Sequence, residues 1–346
     1  MTGSDADVDL RHHGDRDVAP GMLDLAVNVR LPGPPAWLRE RLIAGIDDLG
    51  RYPDTSEARI ALARRHNRLV EEVLPTAGAA EAFVLLARTL RPKRAVCVHP
   101  SFTEPEAALR AAGIPVERVV LPEPYALTPD AVPADADLVI VGNPTNPTGV
   151  SHAAATLVAL ARPGRVLAVD EAFIDTVPGE RGSLASRVDL PGLVVIRSLT
   201  KTWGLAGLRV GYLLAEADLV RELLAAQPLW SVSSLGLLAL QACSEPLALS
   251  EAELAAHELV VWRHDLIAQF ERLPGIRVVA PSQTSFVLLA LPDGEQVRTR
   301  LHEAGVAVRR GDTFPGLGPN HLRVAVRHPT INARTVDAFV AALELR

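Results

Sequence analysis

Two cysteines, Cys97 and Cys243, are too few to build a disulfide scaffold. Cys97 lies inside the apolar run Ala95–Val98 and reads as a core thiol. The ten histidines are scattered, and the His12-His13 pair has no cysteine near it, so no metal-ligand spacing is present and no metal is expected. Positive charge is not in excess: 35 Lys and Arg against 41 Asp and Glu leave a net charge of −6. That balance argues against nucleic acid or an anionic membrane as a general partner, while leaving room for a local basic pocket. No apolar run approaches the ~20 residues of a membrane-spanning helix. Met1–Asp17 is polar and acidic without an apolar stretch, so no secretory signal is expected and a reducing cytoplasm is the expected setting. No Gly-x-Gly-x-x-Gly follows an early strand, which removes a dinucleotide-binding fold. Neither internal repeats nor low-complexity segments occur.

What is present is an ordinary globular composition, 48% hydrophobic and 22% charged over 346 residues, enough for two domains. Residues 1–20 are polar and read as an arm, followed by an apolar run at Leu23–Val29. Pro32-Gly33-Pro34-Pro35 precedes a helix over Ala36–Ile46. Asp54 with Glu57 has the pattern of a capping box for a helix to His66. Gly78–Leu90 has helical apolar spacing. From Ala95, strands alternate with helices: the expected strands are Ala95–His99, Pro115–Val120, Leu138–Val141, Arg165–Val169, Leu193–Ile196 and Val210–Leu214. Several are apolar nearly throughout, as strands covered by helices on both faces must be. The pattern predicts an α/β fold with a mostly parallel, doubly wound sheet in a large domain over residues 36–228. After Leu229 the composition shifts to helices Ser233–Cys243 and Ser250–Leu273. Strands at Ile276–Ala280, Ser285–Leu289, Val306–Arg309 and His321–Val326 and a final helix Asn332–Leu345 follow. This is a smaller α+β domain over 229–346, which the arm over 1–35 joins.

One stretch, Arg197–Tyr212, places Lys201 among hydroxyls and apolar neighbours with Arg209 eight positions on. A desolvated ammonium loses its proton readily, and the neutral amine attacks an aldehyde to give a Schiff base. Ser198 and Arg209 suit a phosphate. An aldehyde and a phosphate on one small molecule suggest pyridoxal phosphate; an ordinary surface lysine between two strands is the bland alternative.

Other polar residues fall at strand ends. Gly78-Ala79-Ala80 opens a helix whose free N–H groups suit a phosphate, although most such helix starts hold nothing. Asn143-Pro144-Thr145-Asn146-Pro147 is either a rigid turn or a way to place the Asn146 amide over a ring. Asp170, ending an apolar strand, is either a helix cap or the partner of a protonated ring nitrogen. Phe102 is either core or a stacking surface. Asn146, Asp170 and Lys201 end successive predicted strands, and ligands in such sheets sit at the carboxyl ends.

These residues resemble the fold-type-I pyridoxal-phosphate enzymes of the class I/II aminotransferase group; Asn143–Gly149, Val169–Asp175 and Ser198–Tyr212 are similar to its diagnostic blocks. The resemblance implies that Lys201 carries the Schiff base, Asp170 pairs with the pyridine nitrogen, Asn146 bonds the ring oxygen and Phe102 stacks on the ring. Ser198, Arg209 and the backbone of Ala79 and Ala80 would hold the cofactor phosphate. Arg323 is similar to the arginine gripping a substrate carboxylate, Arg309 to one contacting a substrate phosphate, and Asn28 to a substrate-side asparagine. Tyr52 resembles a tyrosine that reaches the neighbouring subunit's cofactor, which implies a homodimer. Histidinol-phosphate aminotransferases and threonine-phosphate decarboxylases of cobalamin synthesis fit best. Phe173, His12-His13-Gly14-Asp15 and the Thr200–Leu205 block lean toward the decarboxylase, which is the first expectation here, with the aminotransferase as alternative and a non-catalytic cofactor-binding relative as a remote third. Two positions depart from the pattern. Ala80 stands where a hydroxyl is usual, and Arg30 replaces an asparagine and is expected to add a cation to the substrate pocket.

Overall fold

The computed structural model of the chain describes residues 8–344. Seven strands form the main sheet: β2 (Val73–Thr76), β3 (Ala95–His99), β4 (Val116–Val120), β5 (Leu138–Gly142), β6 (Val166–Asp170), β7 (Leu193–Ser198) and β8 (Gly211–Leu214); β1 (Leu23–Asp24) belongs elsewhere. Their order is β2-β8-β7-β6-β5-β3-β4. Pairing is parallel from β7 through β4, and β8 runs antiparallel to both β7 and β2. The chain is α/β with a mostly parallel sheet, as its pattern requires.

Side chains along a strand alternate between faces, and here both faces are covered. Val139, Val141, Leu167, Val169 and Val195 pack into one buried cluster, while Leu138, Ile140, Ala168, Val194 and Ile196 pack into another. Each large side chain so buried contributes roughly 1.5–3 kcal/mol. The helices, in chain order, are α1 (Ala36–Ala44), α2 (Ser56–His66), α3 (Ala79–Leu90), α4 (Glu104–Ala111), α5 (Ala154–Val158), α6 (Thr200–Trp203), α7 (Ala217–Ala226), α8 (Ser234–Ala242), α9 (Pro246–Phe270), α10 (Gly294–Glu303) and α11 (Pro329–Glu344). Among the described residues no helix is long and apolar enough to cross a membrane.

A second sheet, ordered β12-β13-β10-β9, is built from β9 (Arg277–Val278), β10 (Phe286–Ala290), β12 (Arg309–Arg310) and β13 (His321–Ala325). Its core joins Val287, Leu289, Leu322 and Val324 to Phe270 of α9 and Phe339 of α11. The short strand β11 (Val306–Ala307) pairs in parallel with β1, so the N-terminal segment is stitched to the C-terminal part. Leu25 continues that stitch into the same core.

Several boundaries differ from the sequence expectation, each for a physical reason. The capping box at Asp54 does not form. Asp54 Oδ1 instead accepts from the backbone N (2.9 Å) and hydroxyl (2.6 Å) of Ser56, closing a turn before the helix starts. Helix α9 begins at Pro246 rather than Ser250, because proline suits the first helical position after an extended Glu245. The expected strand Val306–Arg309 is two strands, one pairing with β1 and one with β13. Strand β2 was not expected: it is short and contains Pro75, which only an edge strand tolerates.

Candidate active site

Register sets the site. Gly142 pairs with Asp170, Asp170 with Ile196, and Ser198 with Gly211, so the ends of β5, β6 and β7 and the start of β8 lie in one row. The segments leaving that row enclose a cavity of about 130 Å3. Its lining brings together Gly78, Ala79, Ala80, Phe102, Asn146, Asp170, Ser198, Lys201 and Arg209, which the sequence had scattered over 132 positions from Gly78 to Arg209, both ends counted. A wider space of about 500 Å3 shares Lys201, Phe102, Asn146 and Phe173 with it and is walled by Asn28, Arg309 and Arg323.

Lys201 lies in the four-residue helix α6 directly after β7. Burial, reinforced by Arg323 and opposed by Asp170, brings its ammonium down to about 8. Its Nζ sits 5.5 Å from the centre of the Phe173 ring, and Phe173 packs edge-on against Phe286 at 5.1 Å. Asp170 is moved the opposite way, up to about 6, by burial against the pull of the Ala172 N–H and Lys201. Its Oδ1 accepts that N–H at 3.0 Å. Two groups in one cavity thus have titration points drawn toward neutrality from both sides, a mark of functional sites.

The cradle for an anion comes from the start of α3, the end of β7 with the α6 that follows it, and the turn before β8. Gly78 caps α3 with a φ of +77°, and a Cβ there would lie 2.9 Å from Arg209 Nη2, so the arginine packs directly on the helix start. Ala79 and Ala80 present helix N-terminal N–H groups, and the Arg209 side chain makes one hydrogen bond, to the Ala206 carbonyl (3.3 Å). Ser198 is buried, and its Oγ accepts from the Thr200 N–H at 3.2 Å.

Arg323, on β13, is buried and makes an extended set of bonds. It donates to the side-chain oxygen of Asn146 and to the carbonyl of Ala26. With its amide oxygen turned toward the guanidinium, Asn28 accepts from Arg323 Nη1 (3.0 Å) and Nε (3.2 Å). Arg309 donates to the His12 carbonyl at 2.7 Å and stands 4.8 Å over the Phe314 ring, and its buried Nη1 has no hydrogen-bond partner.

Three expected residues do not line either cavity. The side chain of His12 turns to Asp17 (3.2 Å), and it is the next residue, His13, that faces the site, bonded to Glu104 at 2.7 Å. Arg30 lies behind α6: its N–H donates to the Lys201 carbonyl (2.8 Å) and its Nε to that of Thr202 (3.2 Å), so it adds no cation to the pocket. Its buried guanidinium faces Glu251, Asp175 and Glu258 instead. Tyr52 is 76% exposed and stacks on Trp230 at 4.1 Å. Lining residues that sequence reasoning did not assign include Ser101, Thr200, Asp15, Glu104 and Phe314. Ser101 and Thr200 carried a signal, a hydroxyl one or two positions from an assigned residue; Asp15, in a short 3-10 turn, Glu104, at the start of α4, and Phe314, in a loop, carried none.

Comparison with known proteins identifies the class. A model of the family "Aminotransferase class I and II" matches residues 20–343, and the chain belongs to that family. It is 51% identical over 320 residues to a histidinol-phosphate aminotransferase of Mycobacterium tuberculosis, covering 92% of this chain and 87% of the relative. It is 31% identical over 335 residues to the threonine-phosphate decarboxylase of Salmonella typhimurium, covering 92% and 90%. The crystal structure of histidinol-phosphate aminotransferase from Sinorhizobium meliloti in complex with pyridoxal-5'-phosphate superposes with a TM-score of 0.83 at 19% identity, covering 93% of this chain and 91% of that one.

The cofactor is pyridoxal 5'-phosphate. The residues present fit it: an anion cradle at Gly78 and Arg209, the Asp170 carboxylate and a deprotonable amine all line one cavity. Ala80 brings no hydroxyl to the cradle, but the buried Thr200 lines the same cavity.

Proposed function

We propose that the protein is a pyridoxal-phosphate-dependent aminotransferase acting on a phosphorylated amine, with histidinol phosphate the first candidate. The observation that carries the phosphorylated substrate is Arg309, a buried cation in the wider space whose Nη1 makes no hydrogen bond and meets only Asp17, as an ion pair at 3.7 Å, so that it keeps hydrogen-bonding capacity for an anion. Transamination stands ahead of decarboxylation because the relative at 51% identity is an aminotransferase and the decarboxylase is only 31% identical. The order expected from the sequence is thereby reversed. One observation keeps decarboxylation as the second reading: Phe173 puts a bare ring, without a hydroxyl, beneath Lys201.

The bound cofactor supplies an aldehyde for covalent capture of amines and a ring that withdraws electrons. Lys201 supplies the amine and, once released, a base at Nζ that can take or return a proton. Asp170 would supply a negative charge to the ring, Phe102 an apolar surface for it, and the anion cradle would hold its phosphate. Arg323 holds a carboxylate in one orientation, with Asn28 and Asn146 fixing the guanidinium plane. Tyr52, exposed and away from its own cavity, fits a homodimer in which it completes the partner's site. The two buried, unpaired thiols fit a reducing cytoplasm.

The test is product analysis of the reconstituted enzyme with histidinol phosphate and with O-phosphothreonine, each with and without 2-oxoglutarate. Glutamate formed from 2-oxoglutarate and histidinol phosphate supports the proposal. Carbon dioxide released from O-phosphothreonine without 2-oxoglutarate establishes the second reading in its place.

A further inference from the structure

On the side of the cofactor cavity away from the substrate wall, three buried residues form a chain of hydrogen bonds. Glu106 of α4 is fully buried, and its Oε1 accepts from Arg110 Nε (2.7 Å) and Arg118 Nη2 (2.8 Å). Its Oε2 meets His99 Nε2 at 3.0 Å. The other ring nitrogen of His99, Nδ1, lies 3.4 Å from the hydroxyl of Ser101. Ser101 is 8% exposed and lines the cavity that Asp170 and Lys201 also line.

The polarity of the Glu106–His99 link is fixed by elementary chemistry. Burial alone would push Glu106 up, but bonds from His99 and Arg118 outweigh it and bring the carboxyl to about 2, so it is ionised and can only accept. His99 Nε2 therefore carries the hydrogen. Burial lowers His99 against the pull of Glu106, and Arg118 and Arg110 disfavour a second positive charge beside them, so the imidazole is neutral. A neutral imidazole with Nε2–H has a lone pair on Nδ1. The single hydroxyl hydrogen of Ser101 has two acceptors, His99 Nδ1 and the Phe102 carbonyl, each at 3.4 Å; donated to His99, it leaves the oxygen's lone pairs for the cavity that Ser101 lines.

We propose that Ser101 is a positioning residue for the cofactor ring, held by the His99–Glu106 pair as a fixed hydrogen-bond acceptor on the cavity wall. The inference rests on the cofactor assignment and extends it. Electron density delivered there, directly or through one water, supports positive charge on the ring together with Asp170. A ring with less positive charge withdraws less from the nitrogen at Lys201, so losing this acceptor raises the pH at which the bound cofactor changes its visible absorption.

The experiment is reconstitution of the cofactor-free protein, reading affinity by absorbance and then titrating the absorption band with pH. Ser101→Ala is expected to weaken cofactor binding about fivefold, the worth of one ordinary hydrogen bond, and to move the band's midpoint upward. Ser101→Thr, which keeps the hydroxyl, restores both. His99→Gln moves the midpoint the same way, and adding it to Ser101→Ala produces no further shift, as members of one chain behave. If His99→Gln does not fold, the Ala and Thr variants at 101 decide alone. An unchanged affinity and midpoint in Ser101→Ala overturns the proposal, as does a Thr variant that behaves like Ala, because volume and not the hydroxyl then matters. A parent protein that takes up no cofactor overturns the assignment beneath it.

Discussion

Arg323 donates to the side-chain oxygen of Asn146, so the group placed to hold a substrate carboxylate is bonded to the group placed beside the cofactor ring. A carboxylate arriving at Arg323 is therefore felt at Asn146. Arg323→Gln is expected to lower kcat/KM for a carboxylate-bearing substrate by roughly a hundredfold or more, the consequence of truncating a buried charge partner. Arg323→Lys does not restore it, since an ammonium cannot serve Asn28, Asn146 and Ala26 from one plane. Steady-state kinetics check both, with the cofactor's absorbance retained as evidence that the first cavity is intact.

Asp170 sets function against stability. Its folded carboxyl titrates near 6 against an ordinary 3.8. The cofactor-free folded state thus binds a proton more tightly than the unfolded chain, and stability falls as pH rises from about 4 to about 6. Asp170→Asn removes that penalty, so the cofactor-free variant is expected to melt higher than the parent at neutral pH, by roughly 2 °C or more. The same change lowers turnover by roughly a hundredfold or more, because the fixed charge against the ring is lost. Calorimetry without cofactor and kinetics with it separate the two effects.

Lys201 gives a pH dependence of opposite sense. Only the neutral amine captures an aldehyde, and in the cofactor-free protein half of the lysine is neutral at about pH 8. The rate of cofactor capture is expected to climb with pH and level off above that value, followed by stopped-flow absorbance. Lys201→Ala abolishes covalent capture at every pH.

Gly78 tests the anion cradle. Its φ of +77° disfavours any side chain, and a Cβ would press on the guanidinium of Arg209. Gly78→Ala is expected to cost about 1–3 kcal/mol of stability from backbone strain. By displacing Arg209 it also weakens cofactor binding, expected at roughly tenfold, the share of a charge-assisted bond. Free phosphate, as a competitor of reconstitution, loses potency in the variant by the same factor.

Tyr52 and Trp230 test assembly. Both are more than half exposed in the single chain and stacked on one another. Tyr52→Ala is expected to weaken cofactor binding with the protein still dimeric, whereas a monomeric parent in sedimentation would exclude a shared site.

The large sheet was legible because its strands are buried on both faces and therefore read as continuous apolar runs; Leu138–Val141 and Leu193–Ile196 needed no context. Nine residues assigned from the sequence do share the first cavity, and all but Arg209 stand at or after a strand end or open a helix. Legibility failed where the deciding contact is remote. Nothing local distinguishes His12 from His13; the choice is made by Glu104, ninety-one positions away. Arg30 was expected in the pocket because it replaces an asparagine of the resembled pattern, but its bonds to α6 carbonyls carry its side chain behind the lysine. The Ser101–His99–Glu106 chain was invisible because a neutral buried histidine and a core histidine look identical in sequence.

The pairing of β1 with β11 has a consequence for how this protein can change. The cofactor cavity is built from one continuous central stretch of chain, whereas the outer wall is assembled from the two ends, Asn28 and His13 meeting Arg309 and Arg323 across that two-stranded seam. Alterations near either end therefore act first on what is recognised, and reach the reacting groups through Arg323, which touches Asn146 and adds to burial in lowering Lys201. A lineage can inherit the chemistry and vary its appetite at the margins of the sequence.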